Sequence, residues 1–235
     1  MTALRLSVVL LLTGLLGLAG CTARHTLPLY QLDNGDAQPP RQEQGLAVLL
    51  GPISIADYLQ RETVLQRQPD GSLLVAEDAR WAGSLAADID QLLLRQLAWR
   101  LDSQRTVLAP TTAEFKAEVQ VLLSVIRLDS GPDQPAVLEA QWRLLDRTGQ
   151  LRDSRLLRLQ EPHTGSVADQ VQAQSRLLRQ LAEQLAQAIE PLRNQPTAEA
   201  AKPTPAPRPT QPKPPQGPKI PMVGPPHSNG EVLRF

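Results

Sequence analysis

Apolar and polar positions change rhythm along this chain and divide it into regions before any single residue is weighed. From Leu6 to Ala19 the chain is nearly continuous apolar sequence behind one positive charge, Arg5, with interruptions that include Thr13, Gly14 and Gly17. A bilayer span needs about 20 apolar residues. This run is too short and too glycine-broken for that, and reads as the h-region of a secretory signal over residues 1–20. Residues 21–45 are mostly polar, with Asn34-Gly35-Asp36 and Pro39-Pro40, and are expected to form a tether in which only Leu27, Leu29, Tyr30 and Leu32 offer a short opening strand. Residues 46–192 are Leu-rich and periodic and form one expected folded domain. Residues 193–235 hold 12 of the chain's 22 prolines; such a stretch cannot bury a core and is expected to be a disordered, polyproline-like tail.

Within the domain the period alternates between two and 3.6. Leu46 to Ile55 is an apolar stretch that Gly51-Pro52 is expected to stop, as a buried strand bounded by breakers. Val64–Arg67 and Ser72–Glu77 flank Pro69-Asp70-Gly71, a turn signal, and predict a hairpin. Ser84 to Leu101 carries Leu85, Ile89, Leu92, Leu93 and Leu97 on one face behind a capping Ser84, the pattern of an amphipathic helix. Val107-Leu108 is a short strand. Two runs of alternation follow, around Ala117–Val125 and Ala136–Leu144, and Leu151–Gln160 returns with Arg152, Ser154, Arg158 and Gln160 among its leucines; together they predict a three-stranded antiparallel meander. Val167, Val171, Leu178, Leu181, Leu185 and Ile189 then recur at helical spacings until Pro191. The sum is an α+β fold: a mixed, largely antiparallel sheet with two helices packed on one face, followed by a disordered Pro-rich C-terminal tail.

Charge and chemistry narrow the function by exclusion. Lys+Arg and Asp+Glu are balanced at 24 each, so the chain has no basic field for nucleic acid. His25, His163 and His227 fall in the tether, a loop and the tail, and no spacing suits a metal pair. No nucleophile elbow, phosphate-binding loop or dinucleotide glycine pattern occurs. An enzyme is not expected, and no cofactor or metal is implied.

The apolar leader ends in Leu18-Ala19-Gly20-Cys21, and Cys21 is the chain's one cysteine. Small residues leading into a cysteine at that point resemble the lipobox of bacterial lipoproteins. The resemblance implies that Cys21 carries a covalent diacylglycerol and, after cleavage, an N-acyl chain. Two or more acyl chains anchor a protein stably where one does not. Thr22, in place of an aspartate, favours the outer membrane in that family.

One further segment is distinctive: Gly51-Pro52-Ile53-Ser54-Ile55-Ala56-Asp57-Tyr58-Leu59-Gln60-Arg61, then Val64-Leu65-Gln66-Arg67, then Arg80-Trp81-Ala82 and Leu85. It resembles the ABC-type transport auxiliary lipoprotein family, with Ala56 standing where the family carries a proline. Tyr30 and Leu32 near the mature start fit the same resemblance, which covers roughly residues 28–192. It implies an accessory role at the periplasmic face of the outer membrane. The implied partners are a periplasmic MCE-domain protein and its inner-membrane permease and ATPase, with several copies of the lipoprotein assembling, in transport of lipids or other hydrophobic compounds. Asp57, Tyr58, Leu59, Arg61 and Trp81 are the candidate partner-binding residues, on a loop that offers polar and aromatic groups. For Tyr58, Leu59 and Trp81 core packing is the alternative, and Arg61 and Arg67 are read as solvated or paired with Glu62 or Asp57. A structural lipoprotein that tethers the outer membrane to the cell wall, and a domain that itself carries a lipid, are the competing functions.

Overall fold

The computed structural model describes residues 26–193. The signal segment, Cys21 and nearly all of the Pro-rich tail lie outside the described residues. The elements run β1 (Leu29–Tyr30), β2 (Val48–Ile55), β3 (Thr63–Arg67), β4 (Leu73–Trp81), α1 (Leu85–Arg100), β5 (Thr106–Leu108), β6 (Val119–Gly131), β7 (Gln134–Asp146), β8 (Leu151–Glu161) and α2 (Val167–Ile189). Short 3-10 turns follow β2 at Asp57–Leu59 and α2 at Glu190–Leu192. Both helices start where a serine can cap them. Ser84 Oγ accepts from the Ala87 N–H and Ser166 Oγ from the Asp169 N–H, each satisfying one of the orphan donors of a first turn. No helix among the described residues is long and apolar enough to cross a membrane.

Two strand sets meet on β6. In the larger, β5, β2 and β6 run parallel and β6, β7 and β8 form the expected antiparallel meander. In the smaller, β1 pairs in parallel with β4, which is antiparallel to β3. One register pair, Gln66 with Ser130, joins β3 to the far end of β6. The fold is therefore α+β, with a mixed and mostly antiparallel sheet. Alternation sorts the main sheet cleanly: Val121, Leu123, Val125, Leu138, Ala140, Trp142 and Leu144 are buried under the helices, while Gln141 and Arg143 face outward. Trp142 finds a partner for its indole N–H in Asp153, at 3.0 Å, as a buried tryptophan needs. From the helix side, Ile89, Leu93 and Leu97 of α1 and Leu177, Leu178, Leu181 and Leu185 of α2 fill the same core.

Three features depart from the sequence reading. Gly51-Pro52 does not stop β2: the strand runs on to Ile55, and the pairing with β6 slips between Leu50 and Ile53. Gly51 takes φ +112°, open only to glycine, and Pro52 stands in the slip, where no ladder donor is required. β4 carries a wide bulge, since Thr63 pairs with Arg80 but Leu65 with Val75. The Arg80 guanidinium closes it by donating to the carbonyls of Ala76 and Ala79, at 3.2 and 2.8 Å.

The third departure is the stretch expected as a tether. Its described part, residues 26–45, lies on the domain. Leu32 is buried. The Asp33 N–H donates to Ser175 Oγ (3.0 Å), Arg179 donates to the Asp33 carbonyl (2.9 Å), and the Gln96 amide donates to the Asn34 carbonyl. Gln31 reaches Asp88 on α1, and Gln42 bridges to Ser103. Polar groups on both helices need partners where the helices meet, and the strap's backbone supplies them.

The β3–β6 junction needs a residue without a side chain. A Cβ on Gly131 would stand 1.9 Å from the Arg67 carbonyl oxygen, whereas one on Gly83 would meet nothing within 4 Å. Gly131→Ala is expected to cost about 1–3 kcal/mol or more by forcing the strands apart, and Gly83→Ala to change stability by less than about 0.5 kcal/mol. Urea unfolding of the two variants side by side checks this.

Candidate partner-docking site

The 3-10 turn after β2 holds the predicted loop residues, and the structure separates them by role. Asp57 and Arg61 are exposed. Asp57 accepts a long bond from the Gln60 side chain at 3.4 Å. The Arg61 guanidinium has no ion-pair or hydrogen-bond partner among the described residues. Leu59 and Trp81 are buried, and with Tyr58, Leu85 and Leu128 they close around a residual void of only about 10 Å³. These three side chains are packing, the alternative that the sequence left open.

Tyr58 is held from β6. Its hydroxyl donates to Asp129 Oδ2 at 3.0 Å and accepts from the Leu128 N–H at 3.1 Å. Asp129 is 1 % exposed, and a bare carboxylate there would be costly. Two guanidinium groups meet it. Arg67 donates through Nε (2.9 Å) and Nη2 (2.6 Å), one to each oxygen, and Arg127 donates through Nε at 2.9 Å. Arg67 is thus neither solvated nor paired with Glu62 or Asp57; its partner is on a strand some sixty residues further along the chain. Burial pushes the Asp129 carboxyl up, but the hydrogen bonds and charges of Arg67 and Arg127 outweigh it and hold the group below the usual carboxylate range. Burial first, and the Asp129 charge second, push the Tyr58 phenol up to about 12.

Local sequence carried one signal of this hub. The alternation of β6 breaks after Val125, at a register slip between Val125 and Arg127, and leaves Asp129 and Ser130 buried where apolar residues are expected. A buried carboxylate at such a break demands a cationic partner. Ser130 continues the polar chain inward, donating to Gln170 Oε1 and accepting from the Gln174 amide on α2.

Beside the fixed turn lies a groove of about 870 Å³. Ile53 and Ile55 of β2 form one wall, Arg61 and Glu62 the rim, and Trp81 and Leu85 the β4–α1 corner. A lining that mixes apolar and polar groups, with Arg61 and Glu62 both at its edge, suits a protein segment that brings an apolar side chain and charged ones. Of the five predicted residues, the structure brings Arg61 and Trp81 to this groove, Tyr58 and Leu59 to the core beneath it, and leaves Asp57 on the adjoining surface.

The family model described as "ABC-type transport auxiliary lipoprotein component" matches residues 30–186. No curated protein matches the chain significantly. Among solved structures, an uncharacterised protein superposes with a TM-score of 0.55 at 20% identity, over 68% of this chain and 97% of its own. Protein XCC0632 from Xanthomonas campestris does so with a TM-score of 0.56 at 16% identity, over 70% and 96%. A PelC dodecamer from Paraburkholderia phytofirmans aligns at a TM-score of 0.38 and 15% identity, over 68% and 96%. At these identities the first two likenesses establish the shared fold.

Removing one partner of a buried ion pair typically costs about 3–5 kcal/mol. Asp129→Asn is expected near the lower end, because Arg67 and Arg127 keep 22–24 % of their side-chain surface in solvent. Tyr58→Phe loses two hydrogen bonds and is expected to cost about 1–2 kcal/mol. Chemical denaturation of both variants provides the check.

The signs with pH are opposite for the two groups. The Asp129 carboxyl is lowered in the folded state, so its contribution is complete above an unfolded value of about 4 and fades as pH falls through the folded one. The Tyr58 phenol is raised to about 12, so its contribution is complete below about pH 10 and is lost as pH rises from there through 12. Phenolate absorbance, taken as the difference between the wild type and Tyr58→Phe, is expected to show a tyrosine that does not ionise until near pH 12.

Proposed function

The chain belongs to the ABC-type transport auxiliary lipoprotein family, and we propose that it is the lipid-anchored, periplasm-facing accessory component of an ABC/MCE-type envelope transport system. In this reading Cys21 carries diacylglycerol and an N-acyl chain and holds the domain at the periplasmic face of the outer membrane. The partners are a periplasmic MCE-domain protein and, through it, an inner-membrane permease and ATPase; the cargo is a lipid or another hydrophobic compound. Several copies of the chain assemble around that partner. The domain itself performs no chemistry, and its task is to dock.

The observation that carries the reading is the family match over residues 30–186, which spans the domain from β1 to the last turns of α2. The groove beside the Asp57–Leu59 turn supports its docking half. Its rim presents Arg61, a guanidinium unpaired among the described residues, beside a turn that Tyr58 and Asp129 hold still, so little conformational freedom is lost when a partner binds there.

Photo-crosslinking in cells tests this, with a photoreactive amino acid in place of Arg61, a second in place of Ser154 on β8 as a control, and mass spectrometry of the captured species. Capture of an MCE-domain protein from position 61 and not from 154 is expected. Capture of only cell-wall components or unrelated outer-membrane proteins from position 61 would replace this function with that of a structural tether.

A further inference from the structure

Where the strap docks determines how far the domain stands from its anchor. With residues 31–36 bound along α1 and α2 and β1 paired to β4, the free chain begins ahead of Leu29. From Cys21 to Leu29 it spans at most about 29 Å fully extended, whereas a polar stretch free as far as Leu46 would reach about 85–90 Å. With Cys21 read as the anchor, the edge of the small sheet therefore stands within about 29 Å of the lipid attachment.

That edge is apolar in an uneven way. Leu27 and Leu29 are 44 % and 64 % exposed, and Leu74 and Val75 of β4 are 54 % and 46 % exposed. These are four of the eight large hydrophobic side chains exposed among the described residues; the others are Trp99 on α1, Ile126 on β6, and Leu151 and Leu156 on β8. Because β1 runs parallel to β4, the chain leading into it comes from the direction of the β4 residues that precede Arg80, where Leu74 and Val75 lie. Monomer surfaces scatter such residues singly; a concentration beside an anchor point marks a contact.

We propose that the β1–β4 edge, which β1 leaves uncovered ahead of Arg80 and along which Leu27, Leu29, Leu74 and Val75 are exposed on its two sides, is the edge that the domain dips into the phospholipid surface that holds the acyl chains of Cys21. The contact is shallow. Glu77 and Asp78 in the β4 bulge are exposed and stay at headgroup level, since carboxylates do not enter hydrocarbon. Arg80 does not serve as a lipid-phosphate ligand, because its Nη1 is committed to the bulge carbonyls. The inference rests on the reading of Cys21 as a lipid anchor.

The test uses the full chain, expressed with its signal and reconstituted into phosphatidylethanolamine/phosphatidylglycerol vesicles with nitroxide-labelled acyl chains. Cys21 is acylated, so a cysteine introduced at an exposed site is the one thiol open to the fluorophore NBD. Leu29→Cys, Leu74→Cys, Ile126→Cys and Leu156→Cys are labelled separately, all at positions where truncation leaves the core intact. An apolar side chain lying in the interface predicts about a twofold loss of fluorescence at positions 29 and 74, and no change at 126 and 156. Mass spectrometry of the Cys21 peptide from the same sample separates the two ways of failing. A peptide without diacylglycerol overturns the anchor reading and this inference together. An acylated peptide with positions 29 and 74 no more quenched than 156 overturns the inference alone. Blue-shifted emission at 29 and 74 in detergent that grows with protein concentration would also overturn it, and would assign the edge to a second copy of the chain.

Discussion

One buried carboxylate joins the parts of this domain. Between the small sheet and the large one the backbone supplies a single register pair, Gln66 with Ser130, too little to fix the angle of a three-stranded flap. Trp81 packs the small sheet onto Leu85 and Leu128, and Asp129 fixes it in direction, with Arg67 from β3, Arg127 from β6 itself and Tyr58 from the turn after β2 converging on its two oxygens. Its desolvation is offset because each oxygen is engaged by a charged donor. Gly131 then lets Arg67 approach closely enough for the arrangement to form. The position of the turn, the groove beside it and the Arg61 guanidinium on its rim all follow from that carboxylate.

A second constraint acts at the other side of the molecule. Two helices that meet with Gln96, Ser175 and Arg179 at their junction leave polar groups in need of partners, and the segment before β2 satisfies them with its own backbone. Residues 31–36, polar enough to be expected as free tether, are thereby taken into the domain.

The meander and both helices were legible because their cause is local. Alternation along β6 and β7 and the capped apolar stripe of α2 are properties of consecutive residues. The continuation of β2 through Gly51-Pro52 was not, because a register slip is decided by the neighbouring strand. The docking of residues 31–36 was not, because a short polar stretch gives no period, and the partners that bind it to the helices lie more than fifty positions away. At the site, the motif around Tyr58 left two readings open for its apolar side chains, contact surface and core. An aromatic next to a leucine reads equally as contact surface or as core, and Asp129, which decides for the core, lies 71 residues further along the chain. Of the motif's residues, Arg61 and Trp81 line the groove, a feature that no local pattern in the sequence announced.

The most direct test of the central claim is residue-level amide hydrogen exchange on Asp129→Asn against the wild type, under conditions where both are folded. If Asp129 holds the turn and the small sheet in place, exchange accelerates at residues 57–61, in β3 and β4 and at the Leu128 amide, while α2 and the β7–β8 ladder keep their protection. Acceleration spread evenly over the whole domain, or none at the turn, would contradict the account and leave Asp129 as one stabilising contact among many.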